Sequence, residues 1–166
     1  MTAWFDMLGQ PLAAAEFRHV HAYLSGLGIA DITRVEPVAT WNDARSLITA
    51  AAWDRRWWDA EQLEKQRLYA SAVAASGESD VLGLLSQTLE QSSAANGPVE
   101  AAAARLGCSD AGLFAAALGA ANEALYLGEL ARLAGEPQTH PFRSKQALFA
   151  AGRWPLGILD GRYRLF

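Results

Sequence analysis

The pattern closest to chemistry is Glu16-Phe17-Arg18-His19, where a carboxylate and an imidazole stand three residues apart. On a helix that spacing puts two metal ligands on one face. A working centre draws further carboxylates from facing helices, and the chain has no second Glu-x-x-His to supply them. His19 falls on the polar side of its helix, so a solvated surface pair is the plainer reading. No metal and no cofactor is expected. His21 is two residues from His19, so the rings project apart and cannot share an ion; it borders the apolar stripe and is expected to be half-buried. His140 precedes Pro141, a place suited to starting a helix. Cys108 beside Ser109 sits between two helices, where a small residue fills a tight turn. No glycine-rich phosphate loop, zinc-protease motif or nucleophile turn is present, and the reading leans away from an enzyme.

A second grouping is aromatic. Trp41, Trp53, Trp57 and Trp58 fall in one helical region, interleaved with Arg45, Arg55 and Arg56. Trp53 and Trp57 share a helix face and Trp58 is turned away, so the three cannot all enter one core. At least one is expected to reach a groove, an interface or the C-terminal segment. Tryptophan and arginine present large, stiff surfaces with polar edges, which suits contact with a partner. Trp53, Arg55, Arg56, Trp57 and Trp58 are the interaction residues of this reading, with a protein partner or a second copy as occupant. Trp154 is expected to clamp the tail to the helices. The alternative is a bundle binding a small molecule or ion through an inward cluster drawn from Glu16, His21, Glu123, Glu129 and His140. A carboxylate such as Glu123, if it faces the interior, must be paired or protonated.

The elements that must carry these residues are helical. The chain has 166 residues, 51% hydrophobic and 19% charged, with a formal net charge of −4. That is too apolar for a disordered chain, and the small-apolar run Ala111 to Ala121 is too short to span a membrane, which takes ~20 residues. No secretory leader is evident at the start, a single cysteine excludes an internal disulfide, and cytoplasmic residence is the default. The scattered Lys and Arg make no basic block, so neither nucleic acid nor membrane is an expected partner.

A helix is expected over about Pro11 to Leu27, with Ala13, Phe17, Val20, Leu24 and Leu27 as its stripe. Residues Ile29 to Ala39 read as a connector with a possible short edge strand over Ile32 to Val35. Helical pattern runs from Thr40 to about Ala75, with a break expected near Asp54 to Asp59. Further helices follow from Ser79 to about Ala94, Val99 to Leu106, Asp110 to about Ala134, and Pro141 to about Ala151. The alanine-rich one is expected to be the central helix. Leu156 to Leu165 reads as a β-hairpin about Asp160-Gly161, opposing Ile158 to Tyr163 and Leu156 to Leu165, with Arg162 and Arg164 on the water side. The fold class is therefore mainly α, one domain over residues 1–166, a bundle of five to six helices with a hairpin at 156–165.

Val99 to Leu118 also resembles a helix-turn-helix, with Ala103, Gly107, Cys108 and Leu113 at its small, turn and core positions. The would-be reading helix, Ser109 to Ala116, offers no Arg, Lys, Asn or Gln to bases or phosphates. The physics of the turn accounts for the match, and DNA binding is the weakest reading.

Overall fold

The computed structural model describes residues 3–32, 34–50 and 52–166, and it is mainly α. Among them are seven α-helices: α1 (Ala14–Gly26), α2 (Trp41–Ile48), α3 (Arg55–Ser76), α4 (Glu78–Ser92), α5 (Asn96–Arg105), α6 (Ala111–Leu133) and α7 (Pro141–Ala150). Three strands, β1 (Val35–Pro37), β2 (Pro155–Leu159) and β3 (Arg162–Leu165), form one sheet in the order β1-β3-β2. The helix count exceeds the expected five to six because the 40–75 pattern divides. Thr40 caps α2 by accepting from the Asp43 amide, and Asp54 caps α3 by accepting from the Arg56 and Trp57 amides. Each cap satisfies helix N–H groups that would otherwise lack partners. The break lies before Asp54, and one of its residues, Ala51, is outside the described residues.

The hairpin turns where expected. Asp160 and Gly161 have φ of 51° and 69°, the left-handed pair that a two-residue turn requires. Ile158 opposes Tyr163, but a bulge at Leu156–Gly157 moves the far end, so Leu165 meets Pro155 and not Leu156. The connector strand forms at Val35–Pro37, later than the expected Ile32 to Val35, of which Thr33 is outside the described residues. It runs parallel to β3, with Glu36 beside Arg164. Pro37 lacks an N–H, which fits it to this outer strand.

The first helix differs in phase. Its buried residues are Glu16, Val20, Tyr23 and Leu24, while Phe17 is exposed. The stripe is rotated one position from the one that apolar residues alone suggest, because a carboxylate and a phenol occupy core positions. Glu16 is therefore not a surface partner of His19. Its carboxylate accepts from the Ala13 amide at 2.6 Å and from the buried Arg153 Nε at 2.7 Å. The Arg153 guanidinium also donates to the carbonyls of Met7, Gln10 and Pro11. This fastens the N-terminal segment, with its buried Trp4, Phe5 and Leu8, against Phe149.

Two apolar clusters make the core. One gathers the N-terminal segment, α2, α5 and the start of α6 around Trp41, Trp154 and Phe166. Trp154 lies 6.0 Å from Trp41 and so holds the tail to the helices. The other gathers α1, α3, α7, the end of α6 and the sheet. Helix α6 packs on α3, α4, α5 and α7 and is central, yet only one stripe of its first half is buried. Ala111, Ala115, Ala116 and Gly119 face water, so the alanines there serve helix formation more than burial.

Arg153→Met should remove about 3 kcal/mol or more of stability, because it leaves the buried Glu16 carboxylate without its countercharge and takes the donor from three partly buried carbonyls. Urea unfolding checks this, with a lowered midpoint and faster amide exchange at Trp4 to Leu8 as the expected result.

Candidate functional site

The face that α3 turns inward reads Trp57, Glu61, Leu68 and Ala72, at helical spacing. Three of these are ordinary core residues; the fourth is an acid, only 2% exposed. Around Glu61 the fold assembles partners from other elements. Lys145 of α7 donates at 2.8 Å, Lys65 lies one helical turn away at 3.0 Å, and the Tyr23 hydroxyl of α1 donates to the second carboxylate oxygen. The Trp57 indole N–H in turn donates to the Tyr23 oxygen at 2.9 Å. Glu123 of α6 accepts from Lys65 at 2.7 Å and stands 3.9 Å from Lys145. Its side chain is 45% exposed, so it forms the outer rim of the network. Tyr163 of β3 lies tilted against Tyr23, ring centres 6.0 Å apart, its hydroxyl buried without a hydrogen-bond partner among the described residues.

The electrostatics follow from this arrangement. Burial by itself would raise the Glu61 pKa, but the Lys145 and Lys65 ammoniums and the bonds from Lys145 and Tyr23 outweigh it and hold the carboxyl at about 2, against an ordinary 4.5. Tyr23 is pushed well above the usual phenol range, first by burial and then by the Glu61 charge; the same two causes raise Tyr163. The site therefore holds a permanent carboxylate and two neutral phenols. Glu61 is too weak a base for proton abstraction near neutrality, and its contacts make it a clasp joining α1, α3 and α7.

Outside this clasp lies an open groove of about 500 Å³, lined by Ile48, Trp53, Asp54, Arg55, Trp57, Trp58 and Leu156. The three indoles stand in series, with Trp57 6.3 Å from Trp53 and 6.3 Å from Trp58. Trp57 is buried and fixed by its bond to Tyr23. Trp53 is half-buried, and the 53–54 segment is tied to β2 by the Asp54 amide bonding to the Ile158 carbonyl. Trp58 is 51% exposed, and the Lys65 ammonium lies 5.9 Å from its ring centre. Gly157 makes the approach possible. Its φ is +121°, and a Cβ there would come within 2.6 Å of the Trp57 ring.

The five interaction residues are thus divided. Trp53, Arg55, Trp57 and Trp58 line the groove, with Trp57 as its fixed wall and not a free contact. Arg56 pairs with Asp54 and Asp31 at the helix start, where its hydrogen bond keeps the Asp54 carboxyl below the usual range against the opposing effect of burial.

The five proposed ligand-binding residues do not converge. Glu16 belongs to the Arg153 clasp. His21 is exposed, not half-buried, because the rotated stripe turns it outward. Glu129 pairs with Arg132 and Gln146. His140 is buried and caps α7, accepting from the Phe142 amide through Nδ1 while Nε2 meets Glu64 at 3.1 Å. Glu123 alone reaches the interior network, at its edge. Glu61, Lys145, Lys65 and Tyr23 were missed, although each charge or hydroxyl sits at or beside a core-facing helical position. Among the described residues no group of three or more His, Cys, Asp and Glu side chains could hold a metal ion, and no helix is long and apolar enough to cross a membrane.

Comparison with protein-family models, with curated proteins and with solved structures found no match for this chain.

Three outcomes are expected. Below about pH 4.5 the stability supplied by Glu61 should decline and be lost by about pH 2, because a carboxyl with a lowered folded pKa stabilises the fold only while ionised. Glu61→Gln should cost on the order of 3 kcal/mol at neutral pH, because it leaves the buried Lys145 ammonium with no carboxylate nearer than Glu123 at 3.9 Å. It should also flatten the acid limb of a stability-against-pH curve. Gly157→Ala should lower the thermal midpoint and shift the tryptophan emission, since it strains the backbone and displaces Trp57.

Proposed function

We propose that this chain is a non-catalytic binding module that takes an extended segment of another protein along the Trp53–Trp57–Trp58 groove. The observation carrying the reading is the contrast within one row of indoles, one anchored by hydrogen bonds to a buried network and its neighbour half exposed at the rim. A stiff aromatic wall loses little conformational freedom when a ligand arrives, which favours recognition. Extended proline-rich and apolar segments dock in aromatic-lined grooves of this kind. Arg55 at the rim, largely exposed and paired only at the surface with Asp59 at 3.4 Å, supplies positive charge for an acidic residue flanking such a segment. On this reading the chain and its partner meet in the cytoplasm.

The second reading, a small apolar ligand in the same groove, is favoured by its volume of about 500 Å³, which lies within the roughly 300–1,000 Å³ range of small-molecule sites.

Selection from a displayed random-peptide library, followed by titration through tryptophan fluorescence, tests the proposal. The expected ligands are extended apolar or proline-bearing peptides with an acidic neighbour. Trp58→Ala should weaken their binding about tenfold or more, a loss of roughly 1.4 kcal/mol, with little change in thermal midpoint. Selected peptides that bind wild type and Trp58→Ala equally would defeat the peptide-groove reading. Reversible dimerisation abolished by Trp58→Ala would put a second copy in the partner's place.

A further inference from the structure

On the opposite side of the sheet from the buried phenols, charge is gathered without balance. Arg162 and Arg164 of β3 both place Nη1 2.8 Å from the same Glu36 oxygen of β1. Arg164 is mostly buried, and its Nε has no hydrogen-bond partner among the described residues. Arg34, just before β1, is exposed, and no carboxylate among the described residues is within ion-pair distance of it. Three guanidiniums thus answer to one carboxylate, in a protein whose overall charge is −4. An open groove of about 440 Å³ runs along this edge, lined by Phe17, Arg34, Val35, Glu36 and Arg162. Phe17 is exposed there because the stripe of α1 is rotated toward Glu16 and Tyr23. A neighbouring groove on the Arg164 side carries Asp43, whose carboxylate accepts from Thr40 and forms no ion pair with any of these arginines.

We propose that the Phe17–Arg34–Arg162 groove binds a small dianion bearing a flat apolar group, a phosphate monoester or a dicarboxylate. Guanidinium forks match the paired oxygens of either anion. Arg34 and Arg162 supply two charges, and Phe17 offers a ring face to the apolar body. Glu36 is the internal competitor: the incoming anion takes Arg162 from it while Arg164 keeps it neutralised. That exchange is inexpensive because Arg162 is 44% exposed and Glu36 retains its second partner. This site is separate from the tryptophan groove and does not depend on its reading.

Calorimetric titration at constant ionic strength with phenyl phosphate, benzylmalonate and inorganic phosphate tests the proposal. One or both ring-bearing dianions should bind at least about fivefold tighter than inorganic phosphate, and Phe17→Ala should erase that advantage. Arg162→Gln should weaken binding about tenfold. Glu36→Gln should tighten it about threefold or more, since it removes the competitor. The tighter of the two ring-bearing probes identifies the oxyanion class. Arg34→Gln alters an exposed side chain without an ion pair, so its expected weakening, at unchanged thermal midpoint, decides the matter if Glu36→Gln perturbs the β1–β3 pairing. No binding by either ring-bearing dianion, binding indifferent to Arg162→Gln and Arg34→Gln, or binding lost instead in Arg55→Gln would overturn the assignment.

Discussion

The fold turns on a carboxylate that has no access to water. Glu61 lies on the inward stripe of α3, between a tryptophan and a leucine, and burying it uncompensated would cost more than most single interactions can return. The chain meets that cost by bringing Lys145, Lys65 and Tyr23 to it, so α1, α3 and α7 can pack in only one mutual arrangement. An apolar side chain at position 61 would tolerate sliding of these helices; a carboxylate needing three donors does not. The network is thus better understood as a device for specificity than as a store of stability, because a buried ion pair often adds little net energy over a well-packed apolar substitute.

The same logic operates at the other end of α1. Glu16 and Arg153 are as deeply buried as Glu61 and Lys145, and Arg153 spends its remaining donors on three carbonyls of the N-terminal segment. That segment has no regular secondary structure to satisfy its backbone, so the guanidinium substitutes for the missing hydrogen bonds. Two buried ion pairs, one at each end of the first helix, set its rotation. Apolar residues would have chosen a different face, with Phe17 inside; the ion pairs place it outside, where it borders the arginine-lined edge of the sheet.

This explains which parts of the architecture were legible in the sequence. Helix existence, the cap Thr40, the cap Asp110 (which accepts from the Gly112 and Leu113 amides at the start of α6), the Asp160-Gly161 turn and the clamping role of Trp154 follow from local rules that tertiary contacts did not overrule. The division near Asp54 was readable too, because an Asp ahead of a Trp-rich run is a helix start. The phase of α1 and the network around Glu61 were not, because a hydrophobic pattern treats every charge as a surface residue. The informative signal was an acid or lysine at a core-facing position: Glu61 four residues after Trp57, Lys145 three after Phe142 and three before Leu148. Such residues conflict with the local pattern, and the conflict is resolved only by partners distant in sequence, 84 residues away for the Glu61–Lys145 pair. The shift of Leu165 onto Pro155 has the same kind of cause, since the bulge at Leu156–Gly157 answers to the tryptophans packed against it.

The buried network and the aromatic groove are mechanically one object. Trp57 belongs to both: its indole N–H ends the chain of hydrogen bonds that begins at Lys145, and its ring is the middle of the tryptophan row. Gly157 presses on that ring from the sheet side, so Trp57 is held from inside by a hydrogen bond and from outside by backbone. Trp58, one residue on, has neither restraint and is half exposed, with the Trp57 ring on one side and Lys65 near its face. A core that merely needed filling has no use for an exposed indole beside a locked one. On the proposed binding reading it has one, because the locked ring supplies a wall already in place and the exposed ring supplies area for contact. On that reading the interior charges do more than pack: through Tyr23 they hold the Trp57 ring in place.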